Sequence, residues 1–260
     1  MAIASSVLSA FPGFSKKLEG FTPYLYLDID GAVTTGIGNL IDSVEAAQRL
    51  PWKLNGAPAS QAEIASQWRK IKGMKGVIDP KRGVPWQKEG GGAFEPFSTI
   101  RLDASDIGTL FSAVMKEHDE TLLKSYPAYH SWPADAQLAL HSMAWAMGAN
   151  FAPKYPKFTA AVNKPYPDFL LAAKESYMKD NPQGNILLPP TTNPGLRPRN
   201  LANAALFTNA AIALKLNRAL SSLSWPTVLD PVTAKNTPWL IGGLGVGLAA
   251  AIGYKLTRKG

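Results

Sequence analysis

Residues Ala2 to Leu18 carry small and apolar side chains at roughly helical spacing, with Ser15 and two lysines near the end. Gly20 then supplies a left-handed stop and leaves Glu19 in the last turn. The period shortens after it. Tyr24-Leu25-Tyr26-Leu27 and Ala32-Val33-Thr34-Thr35 favour strands. Asp30-Gly31 between them is a two-residue hairpin signal, because glycine takes φ > 0 without penalty and aspartate tolerates it. Such a turn sets Asp28 across the ladder from Thr34, within one residue of register, where both side chains reach one water molecule. Ser43 to Arg49 and Gln61 to Lys72 read as short helices, the second with Ser60 and Glu63 at capping-box spacing. Gly73 to Ser98, rich in glycine, proline and lysine, reads as an ordered-to-mobile loop.

The longest helical pattern runs from Leu102 to Lys124, with Asp103 as N-cap and one apolar stripe of Ile107, Leu110, Phe111, Val114, Met115, Leu122 and Leu123. Pro133 opens a helix over Ala134 to Met147, which Gly148 ends. Its Trp145 is a sugar-stacking candidate, although core packing accounts for it better. A last helix covers Leu201 to Leu214. Beyond Ser221 the chain turns proline- and threonine-rich, a linker composition. Trp239 to Tyr254 then carries no charge and spans about 24 Å as a helix, and Thr237 to Thr257 reaches across a ~30 Å bilayer core with Lys255 snorkelling. Trp239 and Tyr254 stand where interfacial aromatics belong, and Gly243 and Gly247 offer a small face for helix self-association. The expected organisation is a globular domain over 1–222, a linker over 223–237 and a lipid-spanning helix over 238–257. A buried core or fusion-type segment remains open for that tail.

Composition narrows the chemistry. With 46% hydrophobic and 18% charged residues in 260, the body is globular. The absence of cysteine excludes disulfides, thiolate metal sites and a cysteine nucleophile. His118, His130 and His141 lack ligand spacing, so neither a metal nor a cofactor is expected. A net charge of +8 favours polyanions, but no basic run with interleaved aromatics or nucleic-acid module is present, so no specific nucleic acid is expected. The N-terminus lacks the basic start of a cleavable secretion signal. Glu19 opposes the carbonyl end of its helix dipole, which raises its pKa, and a carboxyl protonated at neutral pH is what a general acid requires. A solvated glutamate that ends a helix fits the same residues.

The spacing Glu19, Asp28, Thr34 followed by Gly36-Ile37-Gly38 resembles the catalytic signature of phage-type lysozymes, the muramidases of tailed-phage endolysins. The match includes Glu19-Gly20, Tyr26 two places before Asp28, Gly31 in the turn, and the run Gly195-Leu196-x-x-Arg199 before the last helix. It covers about Phe14 to Leu40 and Leu102 to Leu214 and leaves 41–100 as an insertion. The resemblance implies an α+β, mainly helical two-lobe fold: a small β-hairpin lobe, a long connecting helix and a helical lobe. The C-terminal transmembrane helix is added to it.

It also implies roles: Glu19 as general acid, Asp28 on the opposite face of the sugar, Thr34 orienting the attacking water, Tyr26 and Gly38 in the substrate site. Arg199 would set the electrostatics of the glutamate, with Arg197 as competitor. The chain departs from the pattern at Asn39, where many relatives carry histidine, so no buried His–Asp pair is expected there. It departs again at Asn200 and Leu201, where basic residues are usual. Water between Asp28 and the anomeric carbon implies carboxyls about 6.5–9.5 Å apart and inversion. The function expected is a membrane-tethered peptidoglycan hydrolase cutting between N-acetylmuramic acid and N-acetylglucosamine, facing the wall, in a virion or for lysis. A bacterial antagonistic muramidase toxin shares that chemistry, and a non-catalytic peptidoglycan-binding or structural virion protein is the reading from another class.

Overall fold

The computed structural model describes residues 2–178, 196–221 and 223. Helix α1 (Ser5–Glu19) leads into an antiparallel sheet of β1 (Thr22–Leu27), β2 (Val33–Gly36) and β3 (Asn39–Leu40), in that order. After α2 (Val44–Gln48), strands β4 (Lys53–Leu54) and β5 (Ala57–Pro58) form a second hairpin. Helix α3 (Gln61–Lys72) runs into a series of turns, and β6 (Ile100–Arg101) completes a second sheet ordered β5-β4-β6. Five helices follow: α4 (Ala104–Ser125), α5 (Ala134–Met147), α6 (Pro156–Val162), α7 (Phe169–Glu175) and α8 (Arg197–Lys215). Two compact units result, Pro12–Lys116 and the described residues of Met1–Phe11 with Glu117–Gly260.

In the unit Pro12–Lys116, 41–100 is built onto the first sheet. Asn55 and Gly56 both take positive φ, +53° and +83°, the pairing that a two-residue hairpin turn demands. Ser60 and Glu63 form the expected capping box on α3. The stretch read as an ordered-to-mobile loop is packed. Phe94 is fully buried, Trp86 meets Phe97 edge-on at 4.9 Å, and Ile78 pairs with Pro85. The Leu25 N–H donates to the Ser98 hydroxyl at 3.3 Å, so this stretch satisfies a backbone group of β1, and just beyond it the Leu102 N–H donates to the Pro23 carbonyl at 2.8 Å.

The other unit is helical. Every residue of α5 from Ala134 to Ala144 is buried, the polar Asp135, Gln137, His141 and Ser142 among them. Helix α8 packs on α5 and α7, with Phe207 against Phe158 at 5.3 Å and stacked on Phe169 at 6.3 Å.

The expected fold class is corrected in two respects. The described fold is mixed helix and sheet with eight helices, and none of them is long and apolar enough to cross a membrane. Helix α4 has 22 residues but carries Asp106, Lys116, Glu117, Asp119, Glu120 and Lys124; α5 is apolar but has 14, short of the ~20 a span needs. The stretch 238–257 with Gly243 and Gly247, the linker from 224 onward and Asn193-Pro194-Gly195 lie outside the described residues. Secondly, the single β-hairpin is replaced by two three-stranded sheets, because Asn55-Gly56 closes a second hairpin on which β6 pairs.

Removing the Phe94 ring tests the packing of 73–98. Phe94→Ala is expected to cost about 3–5 kcal/mol in denaturant unfolding, the penalty for an emptied aromatic core site. A loss under about 1 kcal/mol would show that the stretch is not packed as described.

Candidate functional site

The β1–β2 connection places three of the candidate side chains. The Gly31 N–H donates to the Asp28 carbonyl and the Asp28 N–H to the Ala32 carbonyl, both at 2.9 Å, which makes Ile29-Asp30-Gly31 a three-residue loop. Gly31 takes φ +78°, the left-handed position at which such a loop needs glycine. Asp28 Oδ1 accepts from the Asp30 N–H at 3.0 Å and the Ala32 N–H at 2.8 Å. The carboxylate therefore caps its own turn with one oxygen. Among the described residues, Oδ2 has no hydrogen-bond donor.

This loop corrects the expected register. Thr34 lies opposite Tyr26 and Val33 opposite Leu27, so Asp28 faces Ala32 and not Thr34. The side-chain alternation of the strands then puts Tyr26, Asp28 and Thr34 on one face, with Asp28 and Thr34 as diagonal neighbours about 7–8 Å apart. A two-residue loop would have turned Thr34 to the opposite face. The Thr34 hydroxyl donates to the Ala32 carbonyl at 3.3 Å, which leaves its lone pairs for a further donor.

Glu19 reaches the site from α1, whose last residue it is, with Gly20 at φ +81° behind it. Its carboxyl rests on the β2–β3 turn. A Cβ on Gly38 would lie 3.1 Å from Cγ, Cδ and Oε2 of Glu19. Gly36 is held to glycine from the other side, since a Cβ there would lie 2.7 Å from Asn39 Oδ1 and 3.1 Å from Ile107 Cγ2. That same Oδ1 accepts the Ile37 N–H at 3.1 Å, so the buried Asn39 amide is turned onto its own loop. The Gly-x-Gly exit thus has a steric cause at both ends: one glycine makes room for the carboxyl, the other for the amide that shapes the turn.

Tyr26 lies between the two carboxylates electrostatically. Burial first, then the charges of Glu19, Asp28 and Tyr24, push its phenol well above the ordinary value, so it remains a neutral hydrogen-bond donor. Gly91 covers its ring: a Cβ there would stand 3.3 Å from Tyr26 Cδ2 and from Thr22 Oγ1.

The segment 41–100 also clamps the hairpin turn. Lys72 pairs with Asp42 at 2.6 and 2.8 Å and donates to the Gly31 carbonyl at 3.0 Å, while Asp42 accepts the Val33 N–H at 2.9 Å. Burial acts to raise Asp42, but the bonds from Lys72 and Val33 and the charges of Lys72 and Lys75 outweigh it and hold its carboxyl below the ordinary value. These residues escaped sequence reasoning. The only signal was a lysine in the last turn of α3, and nothing in the sequence pairs it with Asp42.

The remaining candidates belong to the helical unit. Arg199 is buried and donates from Nη1 to the Ser142 carbonyl at 3.0 Å and hydroxyl at 3.2 Å, whereas Arg197 is exposed. Asn200, found where basic residues were expected, exchanges hydrogen bonds with the Met178 backbone at 2.9 and 3.1 Å. Trp145 meets Phe11 and His118 edge-on at 5.7 Å, the geometry of core packing. His141 is pushed down to about 3 by burial and then by the charges of His118 and His130, so it is neutral at ordinary pH.

The chain matches no model of a known protein family and no curated protein.

Two measurements probe this geometry. Gly38→Ala meets a left-handed φ of +72° and the Glu19 carboxyl together, and should lose about 1–2 kcal/mol in denaturant unfolding. Asp42, lowered in the fold, contributes stability that is present above its unfolded value of 3.8 and lost as pH falls through the folded value. The unfolding midpoint of wild type should therefore drop more steeply than that of Asp42→Asn as pH falls from about 5 to about 2.

Proposed function

We propose that the protein is a glycoside hydrolase that cuts the glycan backbone of peptidoglycan between N-acetylmuramic acid and N-acetylglucosamine, with inversion. The observation that carries this reading is the seating of the Glu19 carboxyl on Gly38, in the turn that ends the strand bearing Thr34, while Asp28 and Thr34 share one face of the hairpin. An acid at the end of α1 and a base on the hairpin beside it are the parts that glycoside hydrolysis needs.

In this mechanism Glu19 protonates the leaving glycosidic oxygen. Asp28 Oδ2, left unengaged while Oδ1 caps the turn, takes a proton from a water that the Thr34 hydroxyl steers toward the anomeric carbon. The neutral Tyr26 phenol donates a hydrogen bond into the site without adding negative charge beside two carboxylates. Asn39 and the paired glycines hold the turn beneath Glu19, so the acid needs little reorganisation when the sugar binds.

The double task of Asp28 dictates the choice of variants. Asp28→Asn keeps an Oδ1 that accepts the Asp30 and Ala32 N–H groups and removes only the base, so it should fold as wild type. Clearing of purified cell walls by Glu19→Gln and by Asp28→Asn should each fall by about 10²-fold or more. Equal clearing by wild type and Glu19→Gln would discard the acid assignment, and no clearing by wild type would leave a wall-binding protein. The anomeric proton of the first product, followed by NMR, should show inverted configuration; retention would replace the direct attack of water by attack of a carboxylate, with water entering only to hydrolyse the glycosyl-enzyme.

A further inference from the structure

All three histidines of the chain, His118, His130 and His141, fall in the helical unit, and Pro12–Lys116 holds none. They belong to one aromatic cluster. The Phe11 ring lies 5.7 Å from those of His141 and Trp145, and Trp145 meets His118 at 5.7 Å. Tyr129 joins the other two, 5.9 Å from His141 and 4.4 Å from His130. His141 is fully buried and His118 half-buried.

A proton taken up here meets no prepared acceptor. An imidazolium donates from both nitrogens. Nδ1 of His141 and Nδ1 of His118 have no hydrogen-bond partner among the described residues, and His141 Nε2 lies 3.4 Å from the Tyr129 hydroxyl. His141 forms no ion pair among those residues either. The charged groups that its neighbours bring are engaged elsewhere or of the wrong sign. From α4, Asp119 pairs with His130 at 2.7 Å, and Glu117 acts on His118. From α8 comes a cation, the buried guanidinium of Arg199, bonded to Ser142 next to His141. Asp135 of α5 itself stands about 240° round the helix from His141. From α1 the contact is the uncharged Phe11.

We propose that this histidine cluster is an acid-sensitive latch: proton uptake by His141 and His118 opens the helical unit while Pro12–Lys116 stays folded. Burial, then the charges of His118 and His130, lower His141 to about 3, and burial lowers His118 against the pull of Glu117. Once exposed by local opening, each imidazole binds a proton more readily than in the fold. Opening therefore gains as pH falls below the ordinary histidine value of 6.5, and for His141 it goes on gaining down to about 3. In Pro12–Lys116 the carboxyls of Asp42 and Glu63 lie below their ordinary values and keep their charge through most of that range.

Hydrogen exchange of the full chain, resolved by peptide and corrected for intrinsic exchange, tests the latch between about pH 6 and about pH 4.5. Protection over 134–147 should fall about tenfold per pH unit, the slope of the one proton that His141 takes up. Over 22–40 it should change less than about twofold across the same range. His141→Phe keeps a ring in the cluster and should lose that slope, whatever its protection at neutral pH. Flat protection over 134–147, an equal fall over 22–40, or the wild-type slope surviving in His141→Phe overturns the latch. Where the variant does not fold, the two wild-type readings decide alone.

Discussion

Two backbone N–H groups, those of Asp30 and Ala32, converge on one oxygen of Asp28, and this convergence sets the register of the hairpin on which the candidate chemistry is built. It holds a loop of three residues between Asp28 and Ala32. From Tyr26 to Thr34 the side chains take their faces from that count, and nearer Thr22 the pairing shifts. With it, Leu27 and Val33 fall on the fully buried side and Tyr26, Asp28 and Thr34 share the other. One residue fewer would put Thr34 on the face of Leu27, and Val33 on the face of Tyr26 and Asp28. The carboxylate that we assign as base is thus also a structural cap, and its free oxygen is placed by the bonds its partner oxygen makes.

The second turn of the sheet follows the same logic with different atoms. Asn39 shapes it by accepting the Ile37 N–H, and Gly36 and Gly38 are glycines because an amide and a carboxyl press on their Cα atoms. Residues 41–100 then hold both strands from outside. Lys72 and Asp42 tie Gly31 and Val33 to α3, Gly91 covers Tyr26, and Ser98 satisfies Leu25. What reads as an insertion therefore acts as a buttress for the hairpin.

Much of this was legible in residues that act through their own backbone. The end of α1 at Glu19 and Gly20, the capping box of Ser60 and Glu63, and the bounds of α5 follow from local signals, and the structure has them. The loop length at Asp30-Gly31 was not legible, because the same dipeptide suits a two-residue turn and the last two positions of a three-residue one. The second sheet was signalled by Asn55-Gly56 and passed over. The order of 73–98 was hidden by its glycines and prolines, since one buried ring, Phe94, outweighs a polar composition. The clamp of Lys72 on Asp42 joins positions thirty residues apart, and no local pattern announces such a pair.

The central claim is that Glu19, from the end of α1, and Asp28, from this hairpin, address opposite faces of one sugar ring. The crystal structure of Glu19→Gln soaked with a peptidoglycan oligosaccharide tests it most directly. The account predicts a glycosidic oxygen within hydrogen-bonding distance of the residue-19 side chain and a water held by Asp28 Oδ2 and Thr34 on the far side of the anomeric carbon. A sugar bound away from the hairpin face, or Asp28 turned wholly into its turn with no water between it and the ring, would contradict it.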